Sequence, residues 1–146
     1  MVDIQTEIII HCPREKVAAY AADPDHAPDW YVNIKQVEWL TPKPMAVGSE
    51  IAFKAHFLGK ELAYVYRIMS YEPGKSMMMA TADGPFPMET TYTWETAGGG
   101  STRMTLRNRG NPSGFSVLFT PMMAFMMRRA NRKDLEKIKR LLEQSA

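Results

Sequence analysis

One acid in this chain stands where acids are expensive. From Met122 onward, apolar residues recur at helical spacing. Met123, Met127, Ala130, Ile138 and Leu141 fall on one face, with Asn131, Leu135 and Leu142 beside them. Arg128, Arg132, Glu136, Lys139 and Glu143 lie opposite. Asp134 sits in the middle of the apolar stripe. Burying a carboxylate costs free energy unless something there pairs with it. The commoner arrangement is a structural ion pair, with a basic side chain reaching in from the helix or from neighbouring strands. Arg67 and Asn108 are candidate partners. The alternative is a polar anchor or proton acceptor at the end of a cavity, where desolvation raises the carboxyl pKa toward the range of general acid–base work.

A second set of residues carries polar tips on apolar bodies. Phe53, Phe57, Tyr64, Tyr66, Tyr92 and Trp94 alternate with outward residues along predicted strands, and Met104 and Asn108 do the same near the end of the last strand. Much of this is core. Phenol and indole groups, however, need partners when buried, and a few such groups in apolar surroundings make the usual small-molecule site. The chain holds 12 Met. Met77 to Met79 form one run, and Met122, Met123, Met126 and Met127 form another. Methionine fills irregular apolar space, either as core or as an adaptable pocket wall.

Other chemistry finds little support. His11 and Cys12 are adjacent at a strand end and point to opposite faces. His26 lies among Asp23, Asp25 and Asp29, which reads as a solvated helix start rather than a metal site. Gly98 to Gly100 joins two strands and so is no phosphate loop. No nucleophile elbow or Cys/His signature is present. The expectation is a protein that needs neither metal nor other cofactor.

The elements that must position these residues can be read in order. Ile4 to Ile10 reads as a strand, with Val2, Ile4, Thr6, Ile8 and Ile10 on one face at period two, and Pro13 ends it. Arg14 to Ala22 is a short helix presenting Val17 and Tyr20 inward. Asp23 caps a second short helix with Pro24 at its first position, closing on Trp30. Val32 to Leu40, the stretch from Ile51 to Phe57, Leu62 to Ile68, Ser76 to Ala82, Met88 to Trp94 and Thr102 to Asn108 read as six further strands. Glu72-Pro73-Gly74-Lys75 has Pro and Gly where a turn wants them. Gly110 to Gly114 reads as a linker. The long helix starts at Thr120 and Pro121, or near Phe115 with a kink at Pro121. This is an α+β order in one domain spanning 1–146: a strand, two short helices, six strands, one long helix.

Composition bounds the partners. With 146 residues, 45% hydrophobic and 23% charged, the chain suits one soluble domain with its own core. A net charge of +2 argues against nucleic acid as partner. The single Cys12, the acidic start MVDIQTE and the lack of a long apolar run point to a cytoplasmic protein. Phe115 to Met127 is apolar nearly all round and is followed by Arg128, Arg129, Arg132 and Lys133. Such a segment is a cavity lid, core, a contact with a second copy in a homodimer, or a membrane contact. The absence of Trp or Tyr disfavours the membrane.

Pro13 with Val17, Asp23-Pro24, Trp30 ending the second helix, Gly48 before its strand, Glu72-Pro73-Gly74 and the Gly-Ser-Thr-Arg hairpin at Gly100 to Arg103 occur in an order that resembles the START-like (SRPBCC) superfamily. This is the polyketide cyclase/dehydrase and lipid transport group. The resemblance covers almost the whole chain. It implies a helix-grip fold, in which a curved seven-stranded antiparallel sheet wraps a long C-terminal helix and encloses an apolar cavity. It implies no single chemistry, because the superfamily includes carriers, cyclases and hydrolases. Three functions follow as expectations: binding or transport of a small hydrophobic or lipid-like ligand, a cofactor-independent cyclase/dehydrase-like enzyme, or a protein-interaction module. The expected ligand-binding residues are Phe53, Phe57, Tyr64, Tyr66, Tyr92, Trp94, Met104, Asn108, Met123, Met127 and Asp134, with Asp134 the candidate catalytic acid.

Overall fold

The computed structural model describes residues 2–57, 59–83, 87–110 and 120–144, excepting the side chains of Phe57, Asp83 and Thr120. The strands are β1 (Val2–Ile10), β2 (Ile34–Trp39), β3 (Glu50–Phe57), β4 (Lys60–Glu72), β5 (Ser76–Asp83), β6 (Met88–Ala97) and β7 (Ser101–Gly110). They form one antiparallel sheet in the order β1-β7-β6-β5-β4-β3-β2. β1 and β2 are therefore opposite edges, although they are neighbours in sequence. The chain crosses between them through α1 (Arg14–Ala22), a 3-10 turn (Pro24–His26) and α2 (Ala27–Trp30). The long helix α3 (Thr120–Gln144) follows β7 and completes the helix-grip architecture.

Period-two patterning decides which face of the sheet is covered. Along β6, Thr90, Tyr92 and Trp94 are buried, and along β7, Thr102, Met104, Leu106 and Asn108 are buried. Ile51 and Phe53 of β3, Ile68 of β4, and Met77 and Met79 of β5 complete the inner face. The outer face is charged: Asp3 accepts two bonds from the Arg107 guanidinium at 3.0 and 2.8 Å. Turns carry the chemistry their backbone needs. Gly74, with φ of +81°, follows Pro73 in a turn closed by Lys75 N–H donating to Glu72 at 2.9 Å. Asp23 caps the 3-10 turn by accepting from Asp25 N–H at 3.0 Å.

Helix α3 buries Met123, Asn131, Asp134, Leu135, Ile138 and Leu142. The buried seam thus passes through Asn131 and Leu142, and the predicted stripe members Ala130 and Leu141 are only half-buried. Its C-terminal half is tied to the end of β1. Lys139 Nζ donates to Ile9 O at 2.8 Å, His11 N–H to Glu143 Oε2 at 2.9 Å, and the Cys12 thiol to Leu142 O at 3.4 Å. Its N-terminal half is amphipathic in a different way. Met123 is buried while Met122 and Phe125 are 50% and 62% exposed, so the segment is not apolar on every side that the protein covers. Residues 115–119, and with them the alternative helix start, lie outside the described residues.

Three local expectations need correction. The second strand is shorter than Val32 to Leu40, because Val32 N–H is turned inward to Asp134. Tyr20 is only half-buried; it stacks on His26 at 4.2 Å and its hydroxyl reaches Asp29 at 3.4 Å. Gly110 is not linker but the last residue of β7, opposite both Val2 and Met88. A Cβ there would stand 2.5 Å from Met88 Sδ and 2.9 Å from Pro87 O. Gly110→Ala is therefore expected to lower unfolding free energy by about 1–3 kcal/mol through overpacking. Ile138→Ala should cost about 2–5 kcal/mol, because its side chain is fully inside the core. Urea denaturation of both variants, with exposed Glu136→Ala as control, checks these values.

Candidate functional site

A single helix cannot fill the concave side of a seven-stranded sheet along its whole length. Toward the end where β1 finishes and β7 begins, Ile10, Cys12, Trp94, Met104, Leu135, Ile138 and Leu142 belong to a continuous buried core. Toward the opposite end, a cavity of about 150 Å³ remains between sheet, α2 and α3. Its walls are Phe53, Tyr64, Tyr66, Met77, Met79 and Tyr92 from the sheet, Trp30 and Tyr31 from α2 and its exit, and Met123 and Met127 from α3. Tyr64, Met88 and Met127 are only half-buried. They belong to the start of β4, the start of β6 and the first turns of α3, which mark where the cavity approaches the surface.

Eight of the eleven expected ligand-binding residues line this cavity: Phe53, Tyr64, Tyr66, Tyr92, Asn108, Met123, Met127 and Asp134. Trp94 and Met104 do not. They are paired across β6 and β7 and share the inner face with Tyr92, but sit one step further toward the filled end, where they are core. Phe57 has its side chain outside the described residues. Sequence reasoning passed over Tyr31, Met77, Met79 and Asn131 as site residues. The methionine run was visible as a candidate wall. Tyr31 carried no signal of its own beyond following Trp30 at a helix exit.

Polar groups gather around Asp134, which is 2% exposed. Its Oδ1 accepts from Val32 N–H at 2.8 Å. Among the described residues no cation lies within ion-pair distance of it. The proposed partners are engaged elsewhere: Arg67 pairs with Glu50 at 2.8 Å on the surface, and Asn108 accepts from the Thr90 hydroxyl at 2.7 Å. Burial pushes the Asp134 carboxyl up to about 7, against the opposing pulls of the Val32 N–H and the charge of Lys137. Nearby, the Tyr31 and Tyr92 hydroxyls hydrogen-bond each other. Burial holds the phenols of Tyr31, Tyr64, Tyr66 and Tyr92 above their ordinary range, so all are neutral near pH 7. Asn131 precedes Asp134 by three residues, hence on the same helix face, and its Nδ2 is buried without a hydrogen-bond partner. Trp30 Nε1 is in the same condition.

His26 sits near Asp23 at 3.7 Å and Asp29 at 3.3 Å on the exposed side of the short helices, as a local charge cluster. Among the described residues no group of three or more His, Cys, Asp or Glu is placed to hold a metal ion. No described helix is long and apolar enough to cross a membrane.

Solved structures share this architecture. A protein from Thermus thermophilus superposes with a TM-score of 0.84 at 17% identity, covering 99% of each chain. The Zhui aromatase/cyclase from a Streptomyces species, strain R1128, gives 0.78 at 16% identity, covering 97% of this chain and 93% of that one. A START superfamily protein from Mycobacterium smegmatis gives 0.76 at 11% identity, covering 95% and 98%. At such identities the likeness is one of fold. No curated protein sequence matches significantly. Residues 1–143 do match a family described as polyketide cyclase/dehydrase and lipid transport, and the chain belongs to that family.

Proposed function

We propose that this protein binds a small apolar molecule in the cavity between sheet and C-terminal helix. The observation that carries this reading is the void itself: about 150 Å³ with aromatic and methionine walls and a few polar groups at one side. Apolar cavities of this size stay dry and accept a ring the size of benzene. Burial of ligand surface, at about 25 cal/mol per Å², drives binding. Met77, Met79, Met88, Met123 and Met127 line the cavity and can re-pack around differently shaped ligands.

A second reading, an enzyme of the cyclase or dehydratase type, rests on one specific observation. Asp134, titrating near 7, and the Tyr31–Tyr92 phenol pair line the same space. The carboxylate can accept a proton while a neutral phenol donates to a developing oxyanion. The binding reading is preferred because it needs only the void and its scattered polar anchors, whereas catalysis needs an acid and a base converging on one point of a substrate. Native mass spectrometry of protein purified from cells separates the two readings: a bound molecule recovered unchanged after incubation supports a binder, and conversion to product supports the enzyme.

Nile red, a neutral apolar dye, is expected to bind with a Kd in the micromolar range, about −8 kcal/mol at 1 μM. Met123→Ala and Tyr92→Phe should shift that affinity. Trp94→Phe should lower thermal stability and leave affinity unchanged, since Trp94 belongs to the filled end. An affinity that follows Trp94 and ignores Met123 would refute the location.

Asp134 also makes stability depend on pH. Its carboxyl titrates near 7 when folded and near 3.9 when unfolded. Between about pH 4 and pH 7 the folded protein keeps a proton that the unfolded chain has released, so stability falls as pH rises through this window and levels off above it. Asp134→Asn, which keeps an acceptor for Val32 N–H, should flatten this slope and melt above the wild type at pH 8. Thermal melts from pH 4 to 8 measure it. A variant that melts well below the wild type at pH 8 would mean that Asp134 is a structural ion-pair member after all.

A further inference from the structure

Two polar groups on α3 face the cavity with unused hydrogen-bonding capacity, and they are of opposite kind. Asn131 Nδ2 is a buried donor with no acceptor. Asp134 has one oxygen on Val32 N–H and no cation near it among the described residues, so its carboxylate can still accept. Both line the cavity, and three-residue spacing puts them side by side on one helix face. Unmet capacity of this sort is costly inside a protein, because the group has lost its water without gaining a partner.

Head groups differ in how they meet this pair. An ether or ketone oxygen accepts from Asn131 and gives nothing to the carboxylate. An ammonium group donates to the carboxylate and has no lone pair for Asn131. A second carboxylate is repelled. A hydroxyl does both, donating its proton to Asp134 while its oxygen accepts from Asn131. The rest of the wall is aromatic and sulfur-rich, and the void is ring-sized.

We propose that the ligand is a hydroxylated, otherwise apolar ring molecule, of the phenol or cyclic alcohol class, whose hydroxyl bridges Asn131 and Asp134. This rests on the cavity reading above and names the chemistry of its occupant. The ionised carboxylate is the better acceptor, so hydroxyl binding strengthens as pH rises through the titration of Asp134. The phenols beside Asp134, Tyr31 on the α2 side and Tyr92 on the sheet, are held above their ordinary range by burial and stay neutral there, and Lys137 on its own helix acts on it only through its charge. A phenol probe also stays protonated there.

Calorimetric titration with four matched probes tests this: 4-ethylphenol, 4-ethylanisole, ethylbenzene and 4-methylbenzylamine, each at pH 6 and pH 8. At pH 8, 4-ethylphenol is expected to bind about tenfold or more tighter than 4-ethylanisole, as a charge-assisted bond would give. Its affinity should rise severalfold from pH 6 to pH 8, and that of ethylbenzene should stay flat. Asp134→Asn should abolish both the pH dependence and the preference for the phenol, with ethylbenzene affinity retained as proof of an intact cavity. Asn131→Ala is the second variant; it should weaken 4-ethylphenol and 4-ethylanisole alike and spare ethylbenzene. Equal binding of phenol and anisole in the wild type overturns the proposal, as does a phenol preference that survives both substitutions. Tightest binding by 4-methylbenzylamine also overturns it, since the carboxylate would then be a cation site. If even ethylbenzene fails to bind, the cavity reading itself falls, and that outcome is distinct from a cavity that binds all four probes without discrimination.

Discussion

The shape of this protein depends on one mismatch. Seven antiparallel strands present a concave inner face, and only one long helix and two short ones are available to cover it. Apolar residues on that face must leave water, because each exposed side chain would forfeit about 1.5–3 kcal/mol. Side chains alone do not fill the space at every level. Where α3 is fastened to the end of β1, the large rings and branched chains of Trp94, Ile10 and Ile138 meet and close it. Where the helix begins, flexible methionines and half-buried tyrosines line what is left over. The cavity is thus a product of topology, and the residues around it decide its chemistry.

Most of the architecture was legible because it rests on period and punctuation. Alternation gave five of the seven strands, Val32 to Leu40 and Ser76 to Ala82 stood out between breaks, and Pro13, Asp23-Pro24, Pro73-Gly74 and Gly98 to Gly100 were among those breaks. The errors are where period two is blind. It places Trp94 and Met104 on the correct face, yet it carries no information about distance along the strand, so it cannot tell filled core from open cavity. Gly110 looked like linker because glycine usually breaks structure. It is in the strand because only a residue without a Cβ fits against Met88 and Pro87.

Asp134 shows the same division. Helical period located it on the buried face, and the desolvation argument gave the direction of its pKa. Its partner could not be found that way. Val32 N–H comes from the exit of α2, 102 residues away in sequence, and a backbone donor leaves no mark in residue type. The general rule that buried charges are paired with opposite charges points to a basic side chain, and at Asp134 that rule does not hold. One backbone bond and a raised pKa replace the ion pair here, so the group is neutral or ionised according to what lies beside it.

That substitution has a structural consequence. A salt bridge would have locked Asp134 to its partner and used up its oxygens. A single main-chain donor fixes the carboxyl's position and leaves its remaining lone pairs toward the cavity. The cost falls on stability, because an acid forced up to about 7 is held at the expense of folding free energy above that pH. The protein bears this cost at the open end only. At the closed end the large side chains are tightly packed, with Trp94, Met104, Leu106 and Ile138 at or near complete burial. One helix therefore serves two purposes along its length: its second half anchors the fold, and that anchorage lets its first half carry an acid and an amide whose hydrogen-bonding capacity is kept in reserve for something other than the protein itself.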